Sequence, residues 1–309
     1  MFLRLVAVLA LVLPVLAAQP ASAREEPTLS SITAAERDTA PGTNACFPGM
    51  APGQTQIVAC EYGTRGPHVV ALGDSHMRAL SPALRRLAEE GTLRLTLITR
   101  SRCGWTSRPL EHDLDWVGPD CQAWRADVQR YLREHDDIRA IVTSHRGWTM
   151  PGRESERGPD TVRAWRIALE RRIPVIAISG AANWDADFMP TACLRSHRTP
   201  DEWDACAAPR DEVMGFDWTE PAVELARREF GSRSAFRIDM DAVYCPKDRC
   251  RVVTPGGQIM YRDDEHLTAT YTRSLASFFE RRLRATGVVF LDPADALRPA
   301  SGVLPTRSD

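Results

Sequence analysis

From residue 68 onward, short apolar runs alternate with amphipathic stretches. His68–Leu72, Leu93–Ile98, Ile138–Thr143 and Ile173–Ser179 are nearly continuous apolar runs, the pattern of strands buried on both faces. Ala235–Tyr244 reads as a fifth strand. Between these runs, Met77–Glu90 sets Leu80, Leu84, Leu87 and Ala88 on one stripe, and Cys121–His135 spaces Trp124, Val128 and Leu132 at four-residue steps. Both spacings predict helices. Pro159–Arg172 and Glu220–Phe230 read the same way. Thr268–Ala285 carries Tyr271, Leu275, Phe278, Phe279 and Leu283 on one face. Arg251–Tyr261 reads as a small hairpin and Val288–Leu291 as a last short strand.

Strands alternating with helices predict an α/β domain with a parallel sheet covered on both faces. One domain over residues 46–295, followed by a polar tail at 296–309, is the simplest division. In such sheets, sites lie beyond the carboxyl ends of the strands. Ser75, Gly104, the Ser144–Trp148 loop and the Asn183 loop fall on that side.

The N-terminal stretch does not continue this pattern. Arg4 precedes an apolar core, Leu5–Ala18, and the small residues Ala21-Ser22-Ala23 follow. That order predicts a cleaved signal peptide over 1–23, with an uncleaved anchor as the alternative. No cysteine follows the apolar core, which argues against a lipid anchor. Residues 24–45 are polar and aperiodic and read as a flexible leader. Residues 46–66 read as a stapled loop entering the domain.

With 309 residues, 43% of them hydrophobic, the chain is long enough to bury a sizeable core. The formal charge is −2 and the basic residues are scattered, which excludes a nucleic-acid binder. Export gives the eight cysteines meaning, because an oxidising compartment favours disulfides. Their spacing points to local pairs in chain order: Cys46–Cys60, Cys103–Cys121, Cys193–Cys206 and Cys245–Cys250. No C-x-x-C occurs, and neither a metal nor a cofactor is expected.

Gly73-Asp74-Ser75-His76 follows the first strand and opens a helix. A serine there is presented as a nucleophile or merely caps the helix. Asp263 and His266 lie three residues apart before the last helix, so the carboxylate can reach the imidazole and fix its tautomer. Their plainer reading is an acidic helix entry with Thr268 as the cap. Asp264 and Glu265 read as helix-entry acids, with Asp264 as the fallback orienting carboxylate. His76 reads as wall or helix start and His145 as a solvated loop histidine. Trp105, Trp148 and Trp184 are either sugar-stacking rings or loop tryptophans packed on disulfides.

These residues carry a resemblance. The chain resembles the SGNH (GDSL-type) hydrolase superfamily, and more closely the SGNH domain fused to bacterial type 3 membrane acyltransferases. The matching marks are Gly73-Asp74-Ser75-His76, Cys103-Gly104, Cys193-Leu194, Cys206-Ala207-Ala208-Pro209-Arg210, Cys245, Cys250 and Tyr261 to Thr268. They span most of the mature chain. The resemblance implies a three-layer α/β/α sandwich with a flavodoxin-like, parallel five-stranded sheet. It also implies Ser75 as nucleophile, His266 as base, Asp263 as its orienter, and the Ser75 and Gly104 N–H groups in the oxyanion hole.

Three departures matter. The superfamily's Gly-x-Asn-Asp segment after the third strand is replaced by Ser144-His145-Arg146-Gly147-Trp148, so Arg146 is either the substitute donor or a plain surface arginine. Asn183 is a second candidate donor, in the segment after the fourth strand. The sequence holds one apolar N-terminal segment and no multi-span acyltransferase part. Gly180-Ala181-Ala182-Asn183 stands where relatives often carry an Asp.

The resulting expectation is a secreted, monomeric serine esterase or O-acyltransferase. Its substrate is an acylated polysaccharide or cell-wall glycan, with acetyl as the acyl group, and a separate membrane acyltransferase is its candidate partner. The alternative is a catalytically degraded glycan-binding or accessory module. A lipase-like reading lacks a long apolar lid segment.

Overall fold

The computed structural model describes residues 29–290 except 50, 113, 148–152 and 185–186. The signal-peptide, polar-tail and Trp148 expectations therefore lie outside the described residues.

Six strands form the main sheet: β1 (Cys60–Tyr62), β2 (His68–Gly73), β3 (Arg94–Thr99), β4 (Ile138–Ser144), β5 (Val175–Ile178) and, after a short β6 (Ala208–Pro209), β7 (Ala235–Ile238). The order is β1-β3-β2-β4-β5-β7. The five expected strands are parallel, β2 pairing with β3 and β4, and β5 with β4 and β7. The sheet is not five-stranded, however. Residues 60–62, expected within a loop, add an antiparallel edge strand on β3. Three residues are too few to show a period, which is why the sequence pattern misses them.

The side chains of the strands alternate between two cores. Val69, Ala71, Leu95, Leu97 and Ile176 face α2 (Ser75–Glu89) and the C-terminal helices; Val70, Leu72, Ile98, Ile141 and Val175 face α3 (Val117–Glu134) and α4 (Glu154–Leu169). This is the expected three-layer sandwich. Trp124, Trp165 and Trp218 fill the second core with little or no exposure.

The remaining elements differ from the pattern in instructive ways. The leader stretch is not wholly flexible: α1 (Leu29–Glu36) buries Ile32 completely and packs near α5 (Pro190–Ser196). Glu36 there accepts two hydrogen bonds from Arg195, at 2.6 and 2.8 Å. The expected fifth strand stops at Ile238, because Asp239 turns the chain by accepting the Asp241 N–H at 2.9 Å. The chain then forms the single turn α8 (Asp241–Tyr244). The irregular 181–215 stretch also contains α6 (Arg210–Val213), and β6 pairs with β8 (Arg249–Cys250). The 251–261 hairpin is reduced to one bridge, Val253 to Ile259.

After α7 (Thr219–Phe230), the last expected helix is split at Leu275 into α9 (Ala269–Ser274) and α10 (Ala276–Ala285). Residues 288–290 form a bend rather than a strand. All four disulfides join the expected cysteines. No described helix is long and apolar enough to cross a membrane.

Candidate active site

Close packing dictates the turn that carries Ser75. A Cβ on Gly73 would lie 2.0 Å from the Ser144 carbonyl oxygen and 2.8 Å from the Met77 Cβ, so β2 and β4 approach this closely only with glycine there. Asp74 follows as the N-cap of α2, accepting the His76 N–H at 2.9 Å. The capping role available to Ser75 is thus taken by Asp74. Ser75 becomes the first residue of the helix, where backbone N–H groups have no partner within the helix.

Asp263 and His266 lie in the turn enclosed by the Tyr261–Leu267 bridge. The Arg262 N–H donates to the His266 carbonyl at 2.9 Å and closes this turn. Asp263 Oδ1 accepts the Glu265 N–H at 3.1 Å and the His266 N–H at 2.6 Å. The backbone thereby holds the carboxylate against the ring. Both Asp263 oxygens stand 3.0 Å from His266 Nδ1, and His266 Nε2 stands 2.8 Å from Ser75 Oγ. Thr268 caps α9 by accepting the Tyr271 N–H at 3.2 Å. Ser75, Asp263 and His266 line one cleft of about 420 Å³. The Asp264 backbone carbonyl accepts the Trp184 N–H at 2.9 Å.

Residues 45–281 match the family described as "SGNH domain (fused to AT3 domains)". The chain belongs to this SGNH domain family. Among solved structures, the SGNH chain is similar to the periplasmic domain of a lipopolysaccharide acetyltransferase from Salmonella ser. Paratyphi A. The TM-score is 0.52 and the identity 15%, over 72% of this chain and 85% of that one. It is also similar to a carbohydrate acetylesterase family member from Sinorhizobium meliloti (TM-score 0.39, 12% identity, 71% and 98% coverage). A GDSL-like lipase from Bacteroides thetaiotaomicron gives a TM-score of 0.36, with 12% identity and 71% and 88% coverage. No curated protein sequence matches the chain.

Around the SGNH site, the other expected residues divide. Arg146 lines the cleft, its Nη1 2.7 Å from Glu265 and its Nη2 donating to Asn183 at 3.3 Å. Its backbone N–H donates to Asp74 at 2.9 Å. Gly104 is buried, and an added Cβ there would lie 2.8 Å from the His145 ring. From the same loop, Ser101 and Arg102 line the cleft. Arg125 holds this loop by donating to the Gly104 carbonyl at 2.9 Å. Burial lowers the Arg125 pKa to about 10, so it stays charged at neutral pH.

The aromatic candidates move inward. Trp105 is 1% exposed, with its ring 6.3 Å from that of Trp165, so it cannot stack on a sugar. Trp184 is buried edge-on against Tyr261. His145 is not a solvated loop residue: its ring stacks on Trp218 at 3.7 Å, and Trp218 Nε1 donates to its carbonyl at 3.0 Å. Burial, aided by the charges of Arg125 and His76, pushes its pKa down to about 3.

Glu265 is more than a helix-entry acid. Besides its ion pair with Arg146, it lies 3.7 Å from His76 Nε2. Burial works to raise its pKa, but His76, His266 and Arg146 together lower it. Burial likewise opposes ionisation of Asp263. The hydrogen bonds and charge of His266, the charge of Arg262 and the Glu265 N–H outweigh it and lower the pKa to about 2.

Among the described residues, two groups have metal-ligating atoms within reach of one another, Cys193 with His197 and Cys206, and His76 with Glu265 and His266. The cysteines of the first are joined in a disulfide. Glu265 and His266 of the second already bind Arg146, Asp263 and Ser75.

Sequence reasoning missed the near wall of the cleft, formed by Thr39, Ala40 and Phe47. It also missed Arg78, although a residue three positions after Ser75 on a helix shares its face.

Proposed function

We propose that the chain is an extracytoplasmic serine esterase or O-acyltransferase, with Ser75 as nucleophile, His266 as base and Asp263 as orienting carboxylate. The observation that carries the reading is the continuous contact from Asp263 to His266 Nδ1 and from His266 Nε2 to Ser75 Oγ. As Oγ attacks an ester carbonyl, its proton passes to Nε2, and Asp263 stabilises the imidazolium. The unshared Ser75 N–H at the helix start donates to the developing oxyanion. The Arg146 guanidinium, braced by Glu265 and Asn183, supplies the side-chain donation for which the superfamily uses an asparagine; the Gly104 N–H is the remaining candidate. Collapse of the intermediate returns the proton to the leaving alcohol and leaves an acyl-Ser75. Water, or a sugar hydroxyl in a transferase, then attacks it with His266 again taking the proton.

The substrate is an ester on a glycan hydroxyl, with acetyl as the acyl group. The acetyltransferase and carbohydrate acetylesterase names of two structural neighbours agree with this reading. Export through the N-terminal segment accords with four disulfides in one chain. A separate membrane acyltransferase is the partner that the AT3 connection of the family points to.

The test is labelling of the mature protein with a fluorophosphonate and hydrolysis of p-nitrophenyl acetate. Wild type is expected to take one label and to turn over the ester, and Ser75→Ala to do neither. An unlabelled wild type, or an active Ser75→Ala protein, would overturn the reading.

A further inference from the structure

Among the described residues, the charges on the cleft wall do not cancel. Three carboxylates of these residues line it, and each is committed: Asp74 to two backbone N–H groups, Asp263 to His266, and Glu265 to Arg146. Arg78 and Arg102 also line it, and among the described residues neither has a carboxylate within 4 Å. Arg78 lies over the Phe47 ring at 4.3 Å and gives its Nε to Thr43 Oγ1 at 2.7 Å, with a second bond to Asn44 Oδ1. Its Nη1 makes no hydrogen bond among the described residues. Arg102 contacts His112 Nε2 at 3.1 Å. Arg262 lines the same cleft and lies 3.5 Å from an Asp263 oxygen already shared with His266.

We infer that Arg78 and Arg102, with Arg262 beside them, form a subsite for an anionic group, a carboxylate or phosphate, on the glycan whose ester reaches Ser75. This rests on the ester-cleft reading given above and adds the substrate class.

Physical chemistry favours an anion over a neutral sugar here. Arg78 is half-buried and held rigid by Phe47, Thr43 and Asn44, so a ligand need not order it. Burial and then the charge of Arg262 lower the Arg78 pKa, a repulsion that a bound anion relieves. Guanidinium edges present paired N–H groups that match carboxylate and phosphate oxygens. Asn44 and Thr43 fix this cation through neutral atoms, which leaves its charge without a carboxylate partner among the described residues.

Binding to Ser75→Ala protein, which cannot turn over, tests the subsite directly. The probes are an oligogalacturonate, a neutral galactan oligosaccharide of equal length and a glycerol phosphate oligomer, titrated calorimetrically at low and high NaCl. At low salt, one of the anionic probes is expected to bind at least about tenfold tighter than the neutral one, and salt should narrow the gap. Whichever anion prevails identifies carboxylate or phosphate. In the Ser75→Ala background, Arg102→Gln and Arg78→Gln should each shrink the gap by about threefold to tenfold. Arg102 is exposed, so its variant keeps the test decisive if the Arg78 variant fails to fold. Equal affinity for all three probes, no binding by any, or a gap untouched by both substitutions would overturn the subsite. Fluorophosphonate labelling of wild type reports the catalytic reading separately, so either can fail alone.

Discussion

The Asp74 carboxylate joins the exit of β2 to the exit of β4: one oxygen caps α2 through the His76 N–H, and the other accepts the Arg146 N–H, both at 2.9 Å. A buried side chain thus sets the spacing between the nucleophile's helix and the loop that carries Arg146. Asp74→Ala removes the cap, worth about 1 kcal/mol, and leaves the part-buried Arg146 N–H of the loop after β4 without its acceptor, costing about 1–3 kcal/mol more. A stability loss of roughly 2–4 kcal/mol in urea unfolding is expected. A loss under about 0.5 kcal/mol would contradict the bridge.

Asp263→Asn leaves the turn in place, because the amide oxygen still accepts the His266 backbone N–H. It removes the charge that stabilises an imidazolium and permits the wrong tautomer. A fall in kcat of about 10⁴ with little change in KM is expected for p-nitrophenyl acetate. A change of less than tenfold would assign the orienting role elsewhere, with Glu265 Oε1, 3.9 Å from Nδ1, the next carboxylate.

How much of this site was legible in sequence follows from which interactions are local. Gly73 to Ser75 and Asp263 to His266 are each contiguous, and a strand run or a helix cap flags each of them. The cysteine pairs are local too, closing loops of 5 to 18 residues. The contacts that were missed are long-range. Residues 39–47 reach the cleft because Cys46 is tied to Cys60, Glu36 to Arg195, and Asp38 Oδ2 to the Thr270 N–H at 2.8 Å. No period in a polar segment announces such a strap. Position in a loop suggests solvation for His145 and leaves Trp105 open between a sugar-stacking ring and a packed one. Both are buried because the 103–108 loop folds under α3 and α4, held by Arg125. The edge strand β1 was invisible for want of length.

Glu265 tests whether Arg146 donates to the oxyanion. Glu265→Gln keeps the side chain's shape but removes the charge that braces Arg146 Nη1. If the guanidinium acts on the transition state, kcat should fall about tenfold to a hundredfold while KM holds. Fluorophosphonate labelling should persist, because Ser75 and His266 are untouched. An unchanged kcat would leave Arg146 a structural cation.

His145 makes stability depend on pH in a definable window. Folded, its pKa is about 3 against an ordinary 6.5, because burial between Gly104 and Trp218 disfavours the imidazolium. As pH falls below about 6.5, the unfolded chain takes up a proton here that the folded chain refuses. The contribution is therefore present in full above 6.5 and is lost as pH falls toward 3, with a slope approaching about 1.4 kcal/mol per pH unit. Asp263 acts in a lower window: its pKa is depressed from 3.8 to about 2, so its contribution is lost only below about pH 4. Measurements between pH 7 and 4.5 stay above the Asp263 window. His68, whose pKa burial also lowers, contributes alike in wild type and variant, so the difference between the two proteins isolates His145. His145→Phe keeps a ring on Trp218 and against Gly104 but cannot be protonated. Urea titrations should show wild type losing stability relative to His145→Phe as pH falls through this range. Parallel curves for the two proteins would mean that His145 titrates normally, and so is not enclosed as described.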